Sequence, residues 1–195
     1  MVVQSWFPTT LMMDMVSGVE TKSLKEFAYK MREDSLGRNV TNVNAWQSND
    51  LNLNDPALSQ LLQAADIYAN KLHRELNFKR SLRQVIDNVW ININPFGGNN
   101  KLHIHGENCL SGVFYVKCNK DSGNIVFPHP AANFIYNTPE SLLEGFTEKN
   151  SQFSNNLPQE GKIILFPSWA YHYVEPNMSN EDRISFAFNT KVVQF

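Results

Sequence analysis

The sequence predicts a mainly β protein with α-helices at its N-terminal end. Hydrophobic periodicity is helical up to residue 84 and alternates beyond it. Most of the thirteen Phe, six Tyr and four Trp fall between Val85 and Phe195, among β-branched residues. The apolar runs there are short and punctuated by Gly, Pro and Asn, as in an antiparallel sandwich or jelly roll.

Taken in order, the first helix is signalled by Ser23 and Glu26, spaced as a capping box, with Leu24, Phe27, Ala28 and Met31 on one face. Asn39 to Asp55 is rich in Asn and reads as a loop. Asp55-Pro56 then opens a second helix, with Asp as N-cap and Pro in the first turn. Its apolar stripe runs through Leu58, Leu61, Leu62, Ala65, Tyr68, Leu72 and Leu76. In Val85–Asn94 the period becomes two. Val89, Ile91 and Ile93 take one face, while Trp90, Asn92 and Asn94 take the other. Further strands are expected at Leu110–Cys118, Asn124–Phe127, Lys162–Pro167, Tyr171–Glu175 and Arg183–Val193. Residues 1–84 should therefore form a helical part packed outside one sheet. Residues 85–195 should form the barrel core of the same single domain. The polar stretch Ala131–Gln159, with a short helix expected at Pro139–Phe146, is a candidate lid.

Composition narrows the function classes. A chain of 195 residues is long enough for one well-filled core. Its net charge of −2 supplies no basic excess for gripping a phosphate backbone. Cys109 and Cys118 form neither a CxxC pair nor a disulfide framework, so the cytoplasm is the expected compartment. The apolar start lacks a basic n-region and is broken by Pro8 and Asp14, which suits neither a signal peptide nor a membrane span. There is no Gly-rich phosphate loop and no nucleophile motif of the hydrolase type.

Candidate chemistry lies in the histidines. His103 and His105, two apart on one extended strand, would project together, and His172 stands far along the chain after another strand. A close pair plus a distant third ligand is the arrangement a three-ligand metal face requires. Two half-exposed strand histidines would give the same spacing. Eleven residues after His172, alternation puts Arg183, Ser185, Ala187 and Asn189 on one face and Ile184, Phe186 and Phe188 on the other. An Arg on such a polar face can grip a carboxylate with its planar fork, with a Ser hydroxyl assisting. A surface Arg at a strand start is the plain alternative. By their surroundings, His73 is expected to be solvated and His129 to end a strand. Trp169 and Tyr171 are expected to brace His172, and the two cysteines to be core thiols.

Together, the order His-x-His, distal His and Arg-x-Ser resembles the 2-oxoglutarate- and iron-dependent oxygenase superfamily. Trp90-x-Asn-x-Asn-Pro, Leu102-His-Ile-His105, Leu110-Ser-Gly-Val-Phe-Tyr115, Gly123-x-Ile-x-Phe and Leu165-Phe-Pro-Ser-Trp169 are similar to a group of such oxygenases seen in marine bacteria and their phages. That group carries HxH where relatives carry HxD. The resemblance covers roughly residues 85–190 and implies a double-stranded β-helix. It implies Fe(II) on His103, His105 and His172, with 2-oxoglutarate held at its far carboxylate by Arg183, Ser185 and Tyr115. Asn92 and Asn94 would face the pocket as cosubstrate or substrate contacts, or as structural hydrogen-bonding groups. His105 stands where a carboxylate is usual, which raises the charge of the site by one. His105-Gly-Glu107 is also an HxE, so a second register, with Glu107 as ligand and His103 behind it, stays open.

The reaction implied is hydroxylation of a small molecule or protein, with release of succinate and carbon dioxide. The rivals are a cupin-like three-His metalloprotein without 2-oxoglutarate and a non-enzymatic metal-binding jelly roll. A monomer or homodimer is expected, in the host cytoplasm if the chain is phage-encoded.

Overall fold

Alternating hydrophobicity gives the strands two unlike faces, and two sheets share the burial of both. The computed structural model describes residues 1–4, 7–131 and 139–194. In chain order its elements are β1 (Met12–Met15), α1 (Thr21–Asp34), β2 (Asn42–Val43), β3 (Trp46–Gln47), α2 (Ser59–Glu75), β4 (Leu82–Asn94) and β5 (Asn99–His103). They continue with β6 (Leu110–Lys117), β7 (Ile125–Pro128), β8 (Phe153–Asn156), β9 (Lys162–Pro167), β10 (His172–Val174) and β11 (Arg183–Gln194). One sheet has the order β1-β9-β6-β11-β4-β3, the other β2-β5-β10-β7-β8, and the pairings are antiparallel.

The larger sheet separates two cores. On its outer face Val89, Ile91 and Ile93 of β4 and Ile184, Phe186 and Phe188 of β11 pack with Leu24 and Ala28 of α1 and Leu61, Ala65 and Leu72 of α2. On its inner face Val113, Tyr115, Ile164 and Phe166 meet Ile125 and Phe127 of the smaller sheet. Gly112 is required at the β6–β11 crossing: a Cβ there would stand 2.3 Å from the Phe188 ring.

Several local expectations change. Helix α1 begins at Thr21, and its N-cap is Glu20, whose carboxylate accepts from the Ser23 amide at 3.0 Å. Ser23 therefore lies inside the first turn. Asp55 does cap, accepting from Ala57 N–H at 2.9 Å, but Pro56–Leu58 forms a 3-10 turn before α2 begins. The Asn-rich stretch contains β2 and β3, each too short to show a period. The helix expected at Pro139–Phe146 shrinks to a 3-10 turn at Glu140–Leu142, and β8 follows. Within the proposed lid, residues 132–138 lie outside the described residues.

His73 is buried, not solvated. Its Nε2 meets the Lys79 carbonyl at 3.2 Å, its Nδ1 meets Gln84 Nε2 at 3.1 Å, and its ring stacks on Phe78. The carbonyl can only accept, so the proton sits on Nε2 and Nδ1 accepts from the Gln84 amide. No described helix is long and apolar enough to cross a membrane.

Candidate metal centre

β5 ends at His103 and β10 opens at His172, and the two residues are register partners. Side chains opposite each other on adjacent strands share a face. His105 lies beyond the end of β5, so only His103 of the pair is on the strand. His105 is held instead by its amide, which donates to the Ser168 carbonyl at 2.9 Å. The ring centroids are 4.2 Å apart for His103 and His172, 5.0 Å for His103 and His105, and 5.2 Å for His105 and His172. One nitrogen from each ring lies within 4.8 Å of the others.

The surroundings prepare these nitrogens for a cation. His103 Nδ1 is 2.7 Å from the Lys101 carbonyl, and His172 Nδ1 is 3.0 Å from the Ala170 carbonyl. A carbonyl only accepts, so both Nδ1 atoms carry protons and both Nε2 lone pairs are left for a metal. Burial lowers all three pKa values below the ordinary histidine range, His105 to about 4 and His172 to about 3. The neighbouring imidazoles add to the lowering at His105 and His172. At neutral pH the trio is uncharged, the state that binds metal. Phe166 and Phe127 pack on the His172 ring at 4.6 and 5.7 Å, and Trp90 stands 5.7 Å from His105. These are the braces. Trp169 and Tyr171, 52% and 53% exposed, are not. Glu107 is exposed and outside the group of three.

A cavity of about 270 Å³ opens from the histidines between the sheets. Arg183, Ser185, Ala187 and Asn189 line it from β11, and Asn88, Trp90, Asn92 and Asn94 from β4. Arg183 pairs with Asn94 in register, and Ser185 with both Asn92 and Tyr115. The Arg183 side chain is the decisive feature. It is 1% exposed, and Nη1 donates to the carbonyls of Ser122, Gly123 and Glu175. Gly123 has φ +78°, and a Cβ there would lie 2.5 Å from the Glu175 carbonyl oxygen, so only glycine permits this carbonyl cradle. Nη2 is buried without a partner, and among the described residues no carboxylate forms an ion pair with Arg183. Tyr115, pushed up by burial despite the Arg183 charge, remains a neutral phenol able to donate.

Buried side-chain polar atoms normally have partners. The exceptions among the described residues are Arg38 Nε, Asn88 Oδ1, Asn92 Oδ1, Asn94 Oδ1 and Arg183 Nη2, all on residues lining this cavity. Arg38 and Asn88 were not among the sequence candidates. Asn88 continues the Asn94, Asn92, Trp90 alternation and was legible in principle. Arg38, in a loop, carries no periodic signal.

Fold and site define a jelly roll with three histidines able to hold one metal ion and a buried cation facing the same cavity. The family described as "Putative 2OG-Fe(II) oxygenase" matches residues 88–189, and the chain belongs to it. The protein is thus a 2-oxoglutarate- and iron(II)-dependent oxygenase, with those two cofactors. This favours the first of the three readings of the sequence over its cupin-like and non-enzymatic rivals. Among solved structures, a Pseudomonas putida prolyl-4-hydroxylase is similar at 14% identity, with 93% of this chain and 92% of that chain covered and a TM-score of 0.61. A Trichoplax adhaerens prolyl hydroxylase, in complex with a peptide fragment of the hypoxia inducible factor oxygen degradation domain, gives 12%, 94%, 83% and 0.64. HygX from Streptomyces hygroscopicus, with nickel and 2-oxoglutarate bound, gives 14%, 94%, 83% and 0.59. At these identities the likeness is one of fold, the double-stranded β-helix. No curated protein sequence matches the chain.

Proposed function

We propose that His103, His105 and His172 hold the iron(II), that Arg183 anchors the far carboxylate of 2-oxoglutarate, and that the enzyme hydroxylates its substrate. The observation that carries the anchor is the buried Nη2 of Arg183, which no acceptor among the described residues satisfies. Burying an uncompensated charge is costly, and a carboxylate entering the cavity would remove that cost. The donor set also fits the metal. Three neutral imidazoles suit iron(II) and leave its full double charge, which the anionic keto-acid end of 2-oxoglutarate offsets better than a neutral ligand would. When bound, iron(II) and 2-oxoglutarate supply oxygen activation, with 2-oxoglutarate leaving as succinate and carbon dioxide.

The chain itself contributes placement. Ser185 and Tyr115, adjacent across β11 and β6, supply hydroxyl donors beside Arg183. Asn94, with its buried Oδ1 unpartnered and its Nδ2 3.3 Å from Asn100 Oδ1, and Asn92 face the same space. Phe127 and Phe166 cover the His172 ring, and Trp90 stands beside His105. Glu107 has no place in this centre. We assign the protein to the cytoplasm, of a host cell if phage-encoded, on the support of two free thiols. Its substrate is a small molecule or a protein, and its working state a monomer or homodimer.

The test is anaerobic titration of the iron(II) protein with 2-oxoglutarate, read by the metal-to-ligand absorption band. Saturable appearance of the band, lost in Arg183→Ala while iron content is kept, supports the assignment. Iron binding without any affinity for 2-oxoglutarate would make Arg183 a structural residue.

A further inference from the structure

Among the five unpartnered buried atoms, those of Arg183 and Asn94 lie at one end of the cavity, that of Asn92 lies between, and those of Asn88 and Arg38, which share Asp50, lie beyond. Arg183 and Asn94 face each other in register at one end. Trp90, the residue against His105, lies four strand residues further along β4, which is about 13 Å at the usual rise. Asn88 lies two residues beyond Trp90, about 7 Å further along β4 from Arg183. A cosubstrate stretched between the histidines and Arg183 does not reach it. Arg38 Nε and Asn88 Oδ1 therefore stay unsatisfied after iron and 2-oxoglutarate are in place.

Their hydrogen-bonding polarity is fixed by one carboxylate. Arg38 Nη2 donates to Asp50 Oδ1 at 2.6 Å, and Asn88 Nδ2 donates to Asp50 Oδ2 at 3.2 Å. A carboxylate only accepts, so the Asn88 amide must turn its NH₂ to Asp50 and its oxygen to the cavity. Arg38 can only donate. The subsite thus offers one N–H donor and one carbonyl acceptor. Its charge is balanced, because Asp50 already pairs with the guanidinium. An anion would meet the Asp50 charge, a cation would meet Arg38, and neither would find a counter-ion. A neutral group bearing both an acceptor and a donor satisfies both atoms.

We infer that Arg38 and Asn88, positioned by Asp50, form a recognition subsite for the primary substrate that takes an uncharged carboxamide. Its C=O accepts from Arg38 Nε–H, and its N–H donates to Asn88 Oδ1. The inference rests on the cofactor placement above, because that placement leaves this end of the cavity free. A carboxamide can come from a peptide backbone or from a primary amide on a side chain or small molecule, and the probes separate these.

The experiment uses isotope-labelled protein loaded with zinc, which is redox-inert, and saturated with 2-oxoglutarate. N-methylacetamide, acetamide, acetate, methylammonium and ethylene glycol are titrated while the Arg38 Nε–H and Asn88 Nδ2–H₂ resonances are followed. An amide should shift both signals and bind about tenfold tighter than the ions or the diol, the worth of a charge-assisted hydrogen bond. Preference for N-methylacetamide points to a backbone source, and preference for acetamide to a primary amide. Arg38→Lys keeps the charge beside Asp50 but removes the Nε–H, and Asn88→Leu removes the acceptor. Each should weaken amide binding about tenfold and leave 2-oxoglutarate affinity unchanged. Equal or better binding of acetate, methylammonium or the diol overturns the subsite. So do unmoved Arg38 and Asn88 signals, or variants without effect, in protein that binds 2-oxoglutarate normally. Failure of 2-oxoglutarate to bind counts against the cofactor placement instead, and the amide preference is then read on the zinc protein alone.

Discussion

Arg183 and His172 are buried and His103 and His105 half-buried, and among the described residues no carboxylate pairs with Arg183. The guanidinium donates to main-chain carbonyls, which orient it but carry no net charge, and Nη2 is left over. Removing it with Arg183→Ala should weaken 2-oxoglutarate binding by about 3–5 kcal/mol, the usual cost of breaking a buried ion pair. Iron content should stay near wild type, since none of the three histidines lies on β11. Arg183→Lys should recover only part of the loss, because an ammonium cannot pair both carboxylate oxygens. Cosubstrate titrations of the two variants decide this. The histidines predict a pH effect on the metal-stripped protein. Folding lowers the pKa of His105 and His172 to about 4 and 3, so between these values and the ordinary histidine range the unfolded chain binds more protons. Their contribution to stability is therefore present above about pH 6.5 and lost as pH falls through the folded values. Denaturation midpoints measured from pH 7.5 downward should fall, and less steeply in His172→Gln. A midpoint that is flat across that window would contradict neutral burial of the trio.

At the scale of elements, the legible strands either alternate, as β4 and β11 do, or are unbroken apolar runs between turn residues, as β6 and β9 are. β4, β6, β9 and β11 pair in the larger sheet and have apolar residues on the helix-facing side; β6, β9 and β11 were readable to within a residue, while β4 starts at Leu82, three residues before the expected Val85. β2, β3, β5 and β8 were not. They are short and rich in Asn and other polar residues, and their partners lie far away in sequence, so register with those partners makes them strands. The site divides in the same way. Asn92, Asn94, Arg183 and Ser185 alternate on regular strands and could be placed on the cavity face from sequence. Arg38 could not, because its position comes from the loop bond between its amide and the Gln47 carbonyl at 2.8 Å. His73 was misread because a helix position beside Lys71 and Arg74 reveals nothing of Gln84 on the neighbouring strand. Element packing also makes a prediction. In Gly112→Ala the new methyl would meet the Phe188 ring at 2.3 Å. Overpacking of this kind costs about 1–3 kcal/mol, and combining it with Phe188→Leu should recover most of the loss. Urea denaturation of the two single variants and the double variant measures the coupling. Independent, additive effects would show that β6 and β11 do not close on each other there.

For the whole molecule, the two arms proposed to bind the cofactors belong to different sheets. His103 and His172 come from β5 and β10 of the smaller sheet, whereas Arg183 comes from β11 of the larger one. A ligand held by the metal and by Arg183 together is therefore a cross-link between the sheets, and it binds only the assembled fold. Ligands that bind the native state alone raise stability by mass action, about 2.7 kcal/mol at a hundred times Kd. For a chain of this size each kcal/mol shifts Tm by roughly 2–4 °C. Metal alone should raise Tm. 2-Oxoglutarate alone should raise it little, because only the Arg183 end is engaged. The two together should exceed the sum of the separate shifts. Arg183→Lys should keep the metal shift and lose most of the extra increment. The measurement is thermal unfolding at fixed protein concentration with zinc or manganese, 2-oxoglutarate, both, or neither. Equal shifts from 2-oxoglutarate with and without metal would mean that the two arms do not share one ligand. The cavity between the sheets would then not be the cosubstrate site.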